Sequence, residues 1–301
     1  MNRWLSLALG GCLALLGAAA SAQDEDSPVK LEGTLLKARN TRSVTIAYRE
    51  ASIPFSYLSA KGEPIGYSIE LCRQLVDAMT QTVGRELEIK WLPVTSETRI
   101  DAIASGKADL ECGSTTNNAE RAKRVAFSPT IFVSGTKLMV KRGSAIKSFR
   151  DLRGKTVVVT AGTTNEQAMQ DVAKRFRIDF KLVTARDHAE SYAQVDAGQA
   201  DAFASDEVLL YGLIARNSAK SKFEVIGEML SYDPYGIMYR RGDAQMQKVV
   251  NEAFRDLAED GEVERQYKRW FLKRLPSGET IDLPMNAQLD SILRAMSAKP
   301  E

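Results

Sequence analysis

One phrase occurs twice in the chain and limits what it can fold into. Ala104-Ser105-Gly106-Lys107-Ala108-Asp109 and Asp196-Ala197-Gly198-Gln199-Ala200-Asp201 each close a helical segment at a glycine, the residue that suits the left-handed turn ending a helix. Each leads into an apolar run that stops in polar residues, Ser114-Thr115-Thr116 in the first copy and Ser205-Asp206-Glu207 in the second. Helix–glycine–strand junctions are common, so it is the repetition of the polar clusters that argues for two copies of one α/β unit and two similar lobes.

The surrounding pattern agrees. Residues 44–47 alternate like a strand, and 87–92 form the next. Between them, Ile69, Cys72, Leu75, Val76, Met79 and Val83 fall at helical spacing over 68–83, and Gly84 ends that helix. A short helix is expected over 97–105. Patterning starts the second lobe near Ser148, with strands at 155–160, 177–183 and 223–226, a helix at 166–176, and another from His188 capped by Asp187. A return strand at 235–240 and helices at 244–259 and 262–271 follow. This alternation predicts α/β lobes with mostly parallel sheets. Residues 23–33 read as a loose acidic start and 276–301 as a polar tail with a short helix at 287–296.

Residues 1–22 read as a cleaved secretory signal: Arg3, an apolar stretch over 4–16, and Ala20-Ser21-Ala22 before the cut. Leu9-Gly10-Gly11-Cys12 loosely resembles a lipoprotein processing box, but the apolar stretch before Cys12 is short and continues past it, which argues against a lipid anchor. The remainder has no apolar run near the roughly 18 residues of a membrane span. A formal net charge of +2, without basic blocks interleaved with aromatics, argues against nucleic acid as a partner. Cys72 and Cys112 suit one disulfide in an exported chain. Two separately buried thiols remain the alternative.

Ser114, Thr116 and Arg121 stand at the mouth of a strand, where hydroxyls, backbone groups and one guanidinium can grip a carboxylate. Alone, Arg121 would read as a solvated arginine. Gly162-Thr163-Thr164 opens a helix directly after a strand, an end that favours anions, although threonine also serves as a plain cap. Asp206 ends the second repeated strand and suits an ammonium, or caps the helix that follows. His188 is the only histidine, so it forms no zinc site with a second histidine. Arg49 after a strand and Arg99 at a helix start would together make an anion pocket. No nucleophile elbow, Walker loop or His–Cys pairing is present, so neither catalysis nor a cofactor nor a metal is expected.

Several segments taken in order, 48–57, 95–99, 111–118, 130–135, 162–166 and Asp187-His188, resemble the extracytoplasmic solute-binding proteins (family 3) of amino-acid ABC transporters, in the version serving glutamate and aspartate. The resemblance spans about residues 35–275. It implies a two-lobed type II periplasmic-binding fold with two crossing hinge segments: lobe 1 at 35–135 and 232–275, lobe 2 at 136–231, and a tail from 276. By likeness, Ser114, Thr116, Arg121 and Thr164 would hold an α-carboxylate, and Asp206 an α-ammonium. Arg49, Ser96, Arg99 and His188 would hold a side-chain carboxylate, contact with which would favour the charged histidine. Three arginines would then face Asp206. Tyr48 departs from the histidine frequent in close relatives, and Cys72 is not shared by all. The expected role is a periplasmic monomer that closes on glutamate or aspartate and delivers it to a permease. Two rivals remain: an exported enzyme of the cyclohexadienyl dehydratase kind, and a soluble partner of a receptor.

Overall fold

The computed structural model describes residues 30–297. The expected signal peptide, Cys12 and the acidic start as far as residue 29 lie outside the described residues. The first described element is a helix, Gly33–Thr41.

Strand Ser43–Tyr48 buries Val44, Ile46 and Ala47 completely, as a strand covered on both faces must. It lies between Glu88–Pro93 and Leu110–Glu111, parallel to both. Met238–Arg240 and then Val125–Phe127 complete this sheet as antiparallel strands. The second sheet repeats the plan. Thr156–Thr160 lies between Lys181–Ala185 and Ala202–Asp206, parallel to both, and Thr136–Lys141 and Phe223–Ile226 follow antiparallel. Each sheet is therefore mixed, with its parallel strands gathered on one side. Because Thr136–Lys141 belongs to the second sheet, that lobe's strands begin before Ser148.

The twin phrases have equivalent structural work. Gly106 and Gly198 both take left-handed turns, at φ 75° and 76°. Asp109 then accepts the Thr45 N–H at 2.9 Å and gives its own N–H to the Thr45 carbonyl at 2.8 Å. Asp201 does the same with Thr156, at 2.8 Å in each direction. Each phrase is thus a clamp that starts the third parallel strand in register with the first.

Two crossing segments, Phe132–Ser134 and Asp233–Tyr235, pair antiparallel between the sheets. The return strand expected at 235–240 is split. Asp233–Tyr235 belongs to the crossing and Met238–Arg240 to the first sheet. Between them Gly236 N–H is bonded to Thr115 O and Ile237 N–H to Ser128 Oγ. Phe132 and Tyr235 root the crossing in an aromatic cluster with Phe55 and Phe271, at centroid distances of 4.9–5.9 Å.

Other expectations shift. The strand expected at 177–183 is Lys181–Ala185, because Arg177, at φ 54°, ends the preceding helix. The last lobe helix runs Glu262–Tyr267 and passes into a π-turn, Lys268–Leu272. The short helix expected at 287–296 is present as Ala287–Ser297, and it buries Leu289 and Leu293 and packs on helix Ala244–Glu259.

Helix Tyr67–Val83 buries its expected apolar stripe in the core that also holds Val44, Ile46 and Leu110, and ends at Gly84, φ 67°. Cys72 on this helix is bonded to Cys112, just beyond strand Leu110–Glu111. The bond closes a loop of sequence separation 40. Replacing both cysteines with serine should lower unfolding stability by about 2–4 kcal/mol. Denaturant titration measures this, and thiol labelling of the unfolded, unreduced protein should find no free sulfhydryl.

Candidate functional site

The parallel strands of both sheets aim their carboxyl ends at one cleft, the place where open α/β sheets bind ligands. In the first lobe, Arg49 follows strand Ser43–Tyr48, Ser96 and Arg99 follow Glu88–Pro93, and Ser114 to Thr116 follow Leu110–Glu111. In the second, Thr163 and Thr164 follow Thr156–Thr160, His188 follows Lys181–Ala185, and Asp206 ends Ala202–Asp206. The repeated unit therefore supplies three strand ends from each side.

Of the nine candidate residues, Ser96, Arg99, Ser114, Thr116, Thr164, His188 and Asp206 line one small, nearly closed cavity between the lobes. Arg121 borders it. Its N–H is held by Asn118 Oδ1 at 2.9 Å, while Nη1 donates to Thr116 O at 3.0 Å and Nη2 to Gly162 O at 3.3 Å. It is buried and bridges the lobes, which excludes a merely solvated role. Thr116 and Thr164 hydroxyls meet across the cleft at 3.4 Å. Arg49 stands beside this cavity and lines a side opening with Thr95 and Asp187.

Each local reading resolves differently. Thr163 is a true helix cap, accepting from Glu166 N–H. Asp206 occupies a cap position without a side-chain cap bond. Its carboxylate instead accepts from Asn165 Nδ2 at 2.7 Å and from the Tyr235 hydroxyl of the crossing segment. His188 is 1% exposed, so it is no surface residue. Asp187 caps its helix, and His188 Nδ1 lies 2.8 Å from Thr160 Oγ1. Thr160 Oγ1 in turn lies 2.9 Å from Ser191 Oγ, which donates to Asp187 O. Each hydroxyl has one proton to give. With Ser191's proton on the carbonyl, Thr160 donates to Ser191, and Nδ1–H donates to Thr160. Neutral His188 therefore turns a bare Nε2 away from this chain.

Charge is the dominant feature. Burial first, and then the neighbouring Arg99, bring Arg49 and Arg121 down to about 9. Arg99 is lowered by burial. Burial, then Arg49 and Arg99, hold His188 well below its ordinary value, so the histidine is neutral here. Burial and then Asp233 push Asp206 up to about 7. Among the described residues, Arg49 Nη1, Arg99 Nε, Ser96 Oγ and Ser114 Oγ are buried without hydrogen-bond partners. Unpaired buried donors of this kind are costly and mark where a polar ligand would be met.

Sequence reasoning missed Asn165, Asp233 and Tyr235, which hold Asp206 and Thr116, and Glu111 and Thr115, which stand behind Arg99. Asn165 was visible beside Thr164. Asp233 and Tyr235 gave no local signal, because the crossing brings them in from far along the chain. The count of three arginines against Asp206 is therefore incomplete: Glu111 and Asp233 are buried beside them.

The family model of bacterial extracellular solute-binding proteins, family 3, matches residues 44–273. The chain is 40% identical over 291 residues to the L-glutamate/L-aspartate-binding protein of Pseudomonas aeruginosa, covering 95% of this chain and 96% of that one. It is 35% identical over 289 residues to the glutamate/aspartate import solute-binding protein of Escherichia coli, covering 96% and 95%. Among solved structures it is similar to the ancestral amino acid-binding protein AncCDT-1, a precursor of cyclohexadienyl dehydratase, with a TM-score of 0.68, 28% identity, and coverage of 79% and 99%.

Asp206 has a stability consequence. Its folded pKa is raised, so folding favours the protonated form. Stability on its account is full below the ordinary carboxylate value and declines as pH climbs to about 7. Asp206→Asn should therefore be more stable than wild type at pH 8, by roughly 1–3 kcal/mol, with the gap closing towards pH 4. Calorimetric scans across that range measure it.

Proposed function

The chain belongs to the bacterial extracellular solute-binding proteins, family 3, and from that premise we propose that it captures glutamate or aspartate between its lobes and delivers it to the permease of an ABC transporter. The fold is the two-lobed type II periplasmic-binding fold. The observation that carries the reading is the convergence of buried Arg49, Arg99 and Arg121 on the cleft with donors on Arg49 and Arg99 left without hydrogen-bond partners, even though Glu111, Asp206 and Asp233 lie buried nearby. An α-amino acid with one more carboxylate brings two negative charges and one positive to that arrangement.

In this reading Arg121, Ser114, Thr116 and Thr164 hold the α-carboxylate, where the helix Thr164–Phe176 adds the positive end of its dipole. Asp206 takes the α-ammonium, which restores its ionised form. Arg99, Arg49, Ser96 and His188 take the side-chain carboxylate. Residues 35–135 with 232–275 form one moving body and 136–231 the other. They turn about the crossing strands, and the closed form is the one the permease meets. The protein acts as a monomer in the periplasm after loss of residues 1–22, and does no chemistry on its ligand. Turnover of prephenate or arogenate by the purified protein would overturn that last point, and docking on a receptor in place of a permease would redirect the delivery step.

Titration calorimetry tests the assignment. Glutamate and aspartate should bind at least about tenfold tighter than glutamine, and lysine or arginine as the best ligand would overturn it. Arg121→Ala should weaken every amino-acid ligand by about 2–5 kcal/mol, whereas Arg99→Ala should weaken the acidic ones selectively.

His188 adds a proton. Its neutral form offers Nε2 as an acceptor, so a carboxylate placed there raises the histidine's pKa and draws a proton in. That contribution to affinity is fully present below the pKa of the unliganded protein and is lost as pH rises through that of the complex. Calorimetry in buffers of different ionisation enthalpy should show wild type taking up more protons with glutamate than His188→Gln does. Equal uptake by the two would remove His188 from the carboxylate pocket.

A further inference from the structure

Behind the arginine pair lies a buried carboxylate with no assigned role. Glu111 ends the third parallel strand of the first lobe and is wholly buried. Its Oε2 accepts from Thr115 Oγ1 at 2.7 Å, and Thr115 Oγ1 accepts from Arg99 Nη1 at 2.8 Å. The hydroxyl therefore passes the carboxylate's pull to the guanidinium. Oε1 has no hydrogen-bond partner among the described residues.

Two features hold this group in place. A Cβ at position 113 would overlap Glu111 Oε1 and press on Arg49 Cγ, so glycine there lets the carboxylate and the Arg49 stem pack on one backbone atom. The Gly113 carbonyl is bonded by Ser68 Oγ at 2.8 Å, and neighbouring Cys112 is tied to Cys72. Glu111 is thus fixed to the helix behind it and faces both arginines. Its negative charge supports the charged form of each, against burial.

We infer that Glu111 is a specificity-setting positioning residue. From behind the pocket it offsets one charge of the Arg49–Arg99 pair and, through Thr115, holds Arg99 in the line of the ligand's side-chain carboxylate. The inference rests on the acidic-amino-acid reading above. Physically, Glu111 sets how strongly the pair demands an anion. With it, the two guanidiniums can be buried together and still accept a ligand carrying a single side-chain charge. Without it their mutual repulsion is relieved only by the ligand.

Two variants separate charge from geometry. Glu111→Gln keeps an acceptor for Thr115 and removes the charge. Thr115→Val keeps the charge and cuts the link to Arg99, and Thr115→Ser restores the link. The readout is the ratio of Kd for L-glutamine to Kd for L-glutamate, a selectivity that loss of folded protein alone does not move. Glu111→Gln should raise the ratio about tenfold over wild type, because the unbalanced arginines favour the acid over the amide. Thr115→Val should lower it by a similar factor, and Thr115→Ser should return it to the wild-type value. A ratio unchanged or lowered in Glu111→Gln overturns the inference while leaving the acidic reading standing. So does a Thr115→Val ratio equal to wild type, which decides the matter alone should Glu111→Gln fail to fold. A wild-type protein that does not prefer glutamate overturns both.

Discussion

Burying guanidinium groups together costs several kcal/mol for each charge that is not met by an opposite charge or an acceptor. Arg49, Arg99 and Arg121 are all in that position, and much of the molecule reads as a response to it. Glu111 and Thr115 stand behind Arg99, carbonyls of both lobes receive Arg121, and Asp206 and Asp233 sit across the cleft. The compensation is partial. Arg49 and Arg121 remain depressed to about 9, and donors on Arg49 and Arg99 remain unpaired. Buried donors left unpaired in this way lower stability, a cost that functional sites commonly carry.

The repeated α/β unit explains how so many charged groups reach one place. A parallel sheet presents all its carboxyl ends along one edge. The Asp109 and Asp201 clamps start the third strand in register with the first, so the residues after each strand arrive at the same height. Two such edges facing each other supply six loops to one cleft. Both hydroxyl residues, through their O–H groups, and helix starts, through their free backbone N–H groups, give these loops donors to offer an anion.

The crossing segments are wired into the same chemistry. Tyr235, on one crossing strand, donates to Asp206 of the second lobe, and Asp233 accepts from Thr116 of the first at 3.0 Å. Phe132 and Tyr235 meanwhile pack on Phe55 and Phe271. A rotation about these strands cannot occur without changing the surroundings of Asp206 and Thr116. In the proposed reading, ligand capture and lobe closure would share these hydrogen bonds, and a bound ammonium or carboxylate would thereby favour the closed form.

Much of this was present in the sequence by itself. The twin phrases, the glycine helix stops and the apolar spacing of helix Tyr67–Val83 follow from local rules of turn geometry and periodicity, and they indicated two α/β lobes. The hydroxyl and arginine residues after each strand named most of the cleft's lining. What only the tertiary structure decided were the quantities that depend on who lies next to whom. Burial, then Arg49 and Arg99, keep His188 neutral, a charge state the sequence left open. Tyr235 and Asn165 take Asp206 away from capping its own helix. Glu111, unremarkable at the end of an apolar run, becomes the counter-charge behind the pocket only when the strand edge places it beside Arg49 and Arg99. Local patterns report backbone conformation because that is set by near neighbours in the chain. Burial and charge pairing join residues from opposite ends of it, and so they exist only once the lobes have assembled.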